Sequence, residues 1–133
     1  MDTRNRFHTD QTFALVRLEH VALLLALSLL ALRHLREMRW PLFLIAFLAI
    51  DLIGYVPGAI AWRRAGGRKI SATYHLLYNL THNYLTGAAV VGLWALAAGR
   101  LEWAMLAIPI HLSGDRGLFG NTYKPALLPF EPA

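Results

Sequence analysis

Four apolar stretches constrain this chain more than any other feature, each approaching the roughly 20 residues needed to cross about 30 Å of hydrocarbon. With no water available in lipid, such stretches must satisfy their own backbone hydrogen bonds, and so they are read as helices. The first spans 12–32, TFALVRLEHVALLLALSLLAL, with its only charges, Arg17 and Glu19, near its start. The leader MDTRNRFHTDQ lacks a short basic region running straight into the apolar core, and SLLALRHL offers no small-residue cleavage site, so this segment reads as a retained helix. The second spans 41–61, where Pro41 suits a first helical position, Trp40 suits an interface, and Pro57 between Gly54 and Gly58 predicts a kink. The third spans 71–98, with Ser71 or Thr73 as cap, a polar first half and a small apolar second half, TGAAVVGLWALAA. The fourth spans 101–120, LEWAMLAIPIHLSGDRGLFG, in which Pro109 and Gly114 predict a kinked helix or a re-entrant segment. The tail 121–133, NTYKPALLPFEPA, carries three prolines and reads as an extended surface arm. The expected fold is therefore all-α: a four-helix transmembrane bundle with short loops and an extended C-terminal tail.

Composition limits what that bundle can do. A chain of 133 residues, 56% hydrophobic, is one folding unit and too apolar for an ordinary soluble domain. The absence of cysteine excludes disulfides, thiolate metal sites, iron–sulfur clusters and cysteine nucleophiles, so a metal would need imidazole, carboxylate or carbonyl ligands. A net charge of +5 could suggest nucleic acid. The basic residues lie instead in short runs at the ends of apolar segments, as topology determinants do, and no soluble domain is left to bind DNA. Arg4, Arg6, Arg63, Arg64, Arg68, Lys69 and Lys124 fall on one side, and Arg33, Arg36, Arg39 and Arg100 on the other, which places both termini in the cytoplasm.

Ionisable residues interrupt the apolar stretches: Asp51 in LAIDLIGY, His75 and His82 in YHLLYNLTHNY, His111 and Asp115 in IHLSGDRG. Such groups are costly at membrane depth and mark functional sites. At 1.5 Å per residue, Asp51 lies about 15 Å into the second helix, His82 about 16 Å into the third and His111 about 14 Å into the fourth, all near one midplane. Asn79 lies about 12 Å deep, and Glu19 about 10 Å into the first helix. His75, Asn79, His82 and Thr86 share a face of the third helix with Tyr78 at its edge, and His111 and Asp115 share a face at i, i+4. His75 and His82 stand roughly 10 Å apart along the axis, too far to hold one ion, so His75 belongs to the periphery.

Neutral imidazoles and carboxylates suit a divalent ion such as zinc, iron or manganese. His82, His111, Asp115 and Asp51 form the candidate ligand set. Glu19 would be a ligand or general base and Asp51 a second catalytic carboxylate. With an open position, such an ion would acidify a bound water that could hydrolyse a lipid-phase ester or phosphate. Other readings stay open. The polar residues could be interhelical hydrogen-bond glue, with Arg17 or Arg116 neutralising Asp51, Asp115 or Glu19. They could form a proton relay, or His82 and His111 could ligate haem, although carboxylates so close fit a haem plane poorly. A non-catalytic accessory subunit of a larger membrane complex is the competing class, docking through its tail and the small-residue face from Gly87 to Gly92.

The motifs LVRLEH at 15–20, AIDLIGY at 49–55, LYNLTHNYL at 77–85 and HLSGDRGLFG at 111–120 resemble, in that order, a family of small bacterial integral membrane proteins catalogued as domain of unknown function 4260. That family has a Leu-Glu pair early in helix one, Pro-Asp-Leu then Gly-Tyr in helix two, Tyr-Asn-x-x-His in helix three and His-x-x-x-Asp-Arg in helix four. Its polar positions match Glu19, Asp51, Tyr78, Asn79, His82, His111, Asp115 and Arg116. Here Ile50 stands where the family usually has proline, and GNTYKP replaces a glycine- and tyrosine-rich ending. His75 is outside the pattern. The resemblance implies a four-helix fold in a bacterial cytoplasmic membrane and a shared polar site, but no reaction.

Overall fold

The computed structural model describes residues 9–131 and is all-α, with no strand among them. Helix α1 covers Asp10–Arg33 and opens on a capping box, in which Thr9 and Thr12 each accept from the other's backbone N–H. Helices α2, Trp40–Gly54, and α3, Val56–Arg64, meet at Tyr55. Pro57 has no N–H to offer, so the helix cannot run through it unbroken. The flanking bonds Tyr55 N–H to Asp51 O and Ala59 N–H to Tyr55 O, each 2.9 Å, keep the two halves as one bent rod.

The segment expected as one helix from Ser71 to Ala98 is two helices: α4, Ala72–Thr81, and α5, Tyr84–Ala98. Asn83 causes the division, because its extended backbone and a side chain that accepts from Thr86 N–H at 2.8 Å start a new helix. The expected fourth segment is also divided. A 3-10 turn at Trp103–Leu106 leads into α6, Ala107–Gly114, which widens into a π-helical turn at Asp115–Phe119 and stops at Gly120 with φ +69°.

α6 is the centre of the assembly, with α1, α2 and α5 packed on it and α4 packed on α2. Ile50, Ile108 and Leu112 join α2 to α6 in the middle, and Ala31, Met38 and Ala104 close the loop end. The π turn lies directly on α1: a Cβ at Gly117 would come within 2.8 Å of the Val21 nitrogen. Two helical rods, Asp10–Arg33 and Trp40–Arg64, are long and apolar enough to cross a membrane, and α5 is apolar but shorter. Much of this apolar surface faces outward: Leu18 and Leu29 on α1 are 64% and 66% exposed.

The tail differs from the expected surface arm. It folds back over α3 and α4, where the Asn79 amide clasps both the N–H and the carbonyl of Lys124, at 2.7 and 3.1 Å. Phe130, 1% exposed, fills the space left by Gly58 between Tyr55, Tyr78 and His75.

Candidate metal centre

Three elements deliver four ligand-type side chains to one point. α2 supplies Asp51 one turn before its bend, the C-terminal end of α4 supplies His82, and α6 with its π turn supplies His111 and Asp115. One ligand atom from each lies within 4.8 Å of all the others. His82 Nε2 is 3.2 Å from Asp51 Oδ1 and 3.4 Å from Asp115 Oδ2. His111 Nε2 is 3.7 and 3.5 Å from the same two oxygens. A tetrahedral ion with bonds of about 2.0–2.1 Å separates neighbouring ligand atoms by roughly 3.3 Å, which the four nitrogen–oxygen separations approach, while all the ligand atoms lie within 4.8 Å of one another.

The protonation of His82 follows from its neighbours. Thr81 donates its hydroxyl proton to the Leu77 and Tyr78 carbonyls, at 3.1 and 3.0 Å, which leaves its oxygen only able to accept. His82 Nδ1 faces that oxygen at 2.9 Å and the Tyr78 carbonyl at 3.0 Å, two acceptors, so Nδ1 carries the proton. In the neutral ring the lone pair therefore sits on Nε2 and points at the two carboxylates. A lone pair facing anionic oxygens needs a cation or a proton between them. His111 sharpens that need, because it is buried, its Nδ1 has no hydrogen-bond partner, and its Nε2 faces only the same two carboxylates, at 3.5 and 3.7 Å. Phe47 packs edge-on against its ring at 4.7 Å, and Tyr78 stacks on His82 at 3.9 Å and 13°.

No arginine or lysine among the described residues lies within ion-pair distance of Asp51 or Asp115. The two candidates for that role are committed elsewhere. Arg17 donates to the Gly117 and Leu118 carbonyls, at 3.1 and 2.8 Å, which ties α1 to the π turn. Arg116 donates to the His82 carbonyl, freed by the break after α4, at 3.2 Å, and lies over the rings of Tyr84 and Tyr123. Both cations hold irregular backbone at the site's edge, so the only cationic partners within reach of Asp51 and Asp115 among the described residues are the two imidazoles.

Of the other expected site residues, Tyr78 and Asn79 are adjacent, the first on the His82 ring and the second on the tail. Glu19 is apart: it is exposed on α1 and makes no hydrogen bond or ion pair with the described residues. His75 is peripheral, buried under the tail with Nε2 3.2 Å from the Leu128 carbonyl. Haem has no place between His82 and His111, because their Nε2 atoms share the same two carboxylate neighbours and leave no plane for a macrocycle. Sequence reasoning missed Thr81, Phe47, Lys124 and Phe130. Only Phe130, the one phenylalanine in a proline-rich tail, carried a readable signal.

The set is open on one side. The Asp51 side chain is 46% exposed and that of Asp115 18%, whereas both imidazoles are buried. A metal bound here would have a protected histidine side and an accessible carboxylate side. No protein-family model, curated protein or solved structure matches this chain.

Proposed function

We propose that this chain is a multi-pass membrane protein that crosses a bacterial cytoplasmic membrane four times with both termini inside, and that it is akin to the domain of unknown function 4260 family. Asp51, His82, His111 and Asp115 bind one divalent ion, zinc, iron or manganese, in the cytoplasmic half of the bundle. The observation that carries this reading is the His82 ring: its Nδ1 proton is committed to Tyr78 and Thr81, so Nε2 is left facing two carboxylates that no fixed cation neutralises. Two buried imidazoles and two carboxylates held together without a cation would be costly, and one divalent ion satisfies all four. The membrane assignment draws support from the two long apolar rods and from the outward leucines of α1, which suit lipid rather than water. The broken helices fit it as well, since irregular backbone at membrane depth is tolerated where protein buries it.

The site's chemistry is hydrolytic. His82, His111 and Asp115 would hold the ion, which would supply a water of lowered pKa, and Asp51, the accessible ligand, would be the one to yield its place to that water. In hydrolysis of a lipid-phase ester or phosphate, Asp51 would hold the proton taken from the attacking water and return it to the leaving alkoxide. Glu19, exposed on α1, bonds to none of the four ligands, so the base role goes to Asp51.

The accessory-subunit alternative draws less support. Gly87 faces inward, where a Cβ would meet Ile108 and Leu112 at 3.0 and 3.3 Å, and the tail spends Phe130 on its own bundle. Elemental analysis of protein purified in detergent without chelator tests the reading. One equivalent of zinc, iron or manganese in wild type, lost in both His82→Ala and His111→Ala, is the expected result; a metal-free wild type with unaltered thermal stability in both variants contradicts it.

A further inference from the structure

We infer that the C-terminal segment, residues 121–131, positions the ligand His82, with Phe130 and Lys124 as positioning residues. This rests on the reading of the His/Asp cluster as a metal centre. The chain of contact is short and continuous. Phe130 is seated against Gly58, where any Cβ would collide with its ring, and it meets the edge of Tyr78 at 6.1 Å and 86°. The Lys124 ammonium lies over Tyr78, Tyr55 and Phe130, at 5.0, 5.6 and 4.5 Å from the ring centres, and donates to the Phe130 carbonyl. Asn79, the neighbour of Tyr78 in sequence, clasps the Lys124 backbone on both sides.

Tyr78 thus has its ring held by the tail and lies flat on His82. Its carbonyl also accepts from His82 Nδ1–H. The ring plane of His82 runs through Tyr78, and its tautomer through the Tyr78 carbonyl together with the Thr81 hydroxyl; these two properties aim Nε2 at the site. Lys124 and Phe130, more than forty residues further along the chain, therefore set the orientation of His82, while the same segment meets the ligand set directly only where the Asn121 N–H donates to the Asp115 backbone carbonyl at 2.9 Å.

The experiment compares wild type, Phe130→Ala and Phe130→Leu in detergent, by Co²⁺ titration read from visible d–d absorption and by ¹⁵N-histidine spectra of the metal-free protein, with His82 assigned from His82→Ala. Expected is about 10- to 100-fold weaker Co²⁺ binding in Phe130→Ala with a changed band shape, near-wild-type behaviour in Phe130→Leu, and loss of the single Nδ1–H tautomer of His82 in Phe130→Ala alone. Lys124→Met, which keeps the stem and removes the ammonium, moves in the same direction and serves where Phe130→Ala does not fold. Unchanged affinity, band shape and His82 signals in these variants would overturn the inference. Should wild type itself fail to bind Co²⁺, the metal reading falls, and the tautomer in the metal-free protein decides the role of the tail separately.

Discussion

His82 is where two hydrogen bonds from one ring nitrogen, Nδ1 to the Thr81 hydroxyl and to the Tyr78 carbonyl, decide chemistry. A helix ending in Leu-Thr-His turns the threonine hydroxyl back onto its own carbonyls and so fixes which imidazole nitrogen keeps its proton. The sequence places His82 at the right depth but does not reveal that choice, because the acceptor role of Thr81 exists only once the helix has formed. Asp51, His111 and Asp115 were readable from depth and from the i, i+4 step. Glu19 was not, since depth along a helix says nothing of which way an exposed side chain turns. Lys124 makes a separate residue-scale prediction. Burial within its aromatic surround pushes its ammonium pKa down, which would make it the more reactive amine if reagent could reach it. The surround leaves the Lys124 side chain only 16% exposed, so reductive methylation should modify exposed Lys69 well before Lys124, and should modify both at similar rates in Phe130→Ala. Equal labelling of both lysines in wild type contradicts the packing described.

Among the elements, the loop end of α1 and the 3-10 turn are joined by one carboxylate. Glu37 accepts from His34 at 2.9 Å and from the Trp103 indole N–H at 3.0 Å, while the His34 and Trp103 rings stack at 3.6 Å. The His34 hydrogen bond first, and that from Trp103 next, hold the Glu37 carboxyl below its ordinary 4.5. A depressed folded-state value means the contribution is complete above that pH and is lost as pH falls through the lower, folded value. Slow exchange of the Trp103 indole proton should therefore persist above pH 4.5 and give way on acidification, whereas in Glu37→Gln it should be flat with pH. Protection that ignores pH in wild type would remove Glu37 from this joint. The breaks in the third and fourth segments belong to this scale too. The face predicted for one continuous helix put Thr86 beside His82, yet Asn83 caps a new helix and ties Thr86 to itself instead. Capping competes with helix continuation by a margin that apolar periodicity does not register. The π turn was equally hidden, since it depends on Arg17 reaching across from α1 to its carbonyls.

Across the whole molecule, the sequence conveyed the helical class and the two long rods, because length and hydropathy act over many residues and survive local detail. It missed the return of the tail, because proline content describes a segment's stiffness and not the pocket that Gly58 leaves for Phe130. The proposed four crossings are testable in a chain with no native cysteine. Single cysteines at Gly66 and Asn121 should be labelled by an impermeant reagent only in inverted vesicles, and one at Gly99 only in right-side-out cells. Gly66 and Asn121 reporting opposite sides contradicts that topology.

The central claim is that one ion joins Asp51, His82, His111 and Asp115, and X-ray absorption at the metal edge of zinc-loaded protein tests it most directly. The account predicts a four-coordinate shell of nitrogen and oxygen at about 2.0–2.2 Å, with multiple scattering from two imidazoles that falls to one in His82→Ala or His111→Ala. A shell of oxygen alone, or an imidazole signal that neither substitution alters, would place the ion elsewhere and contradict the account.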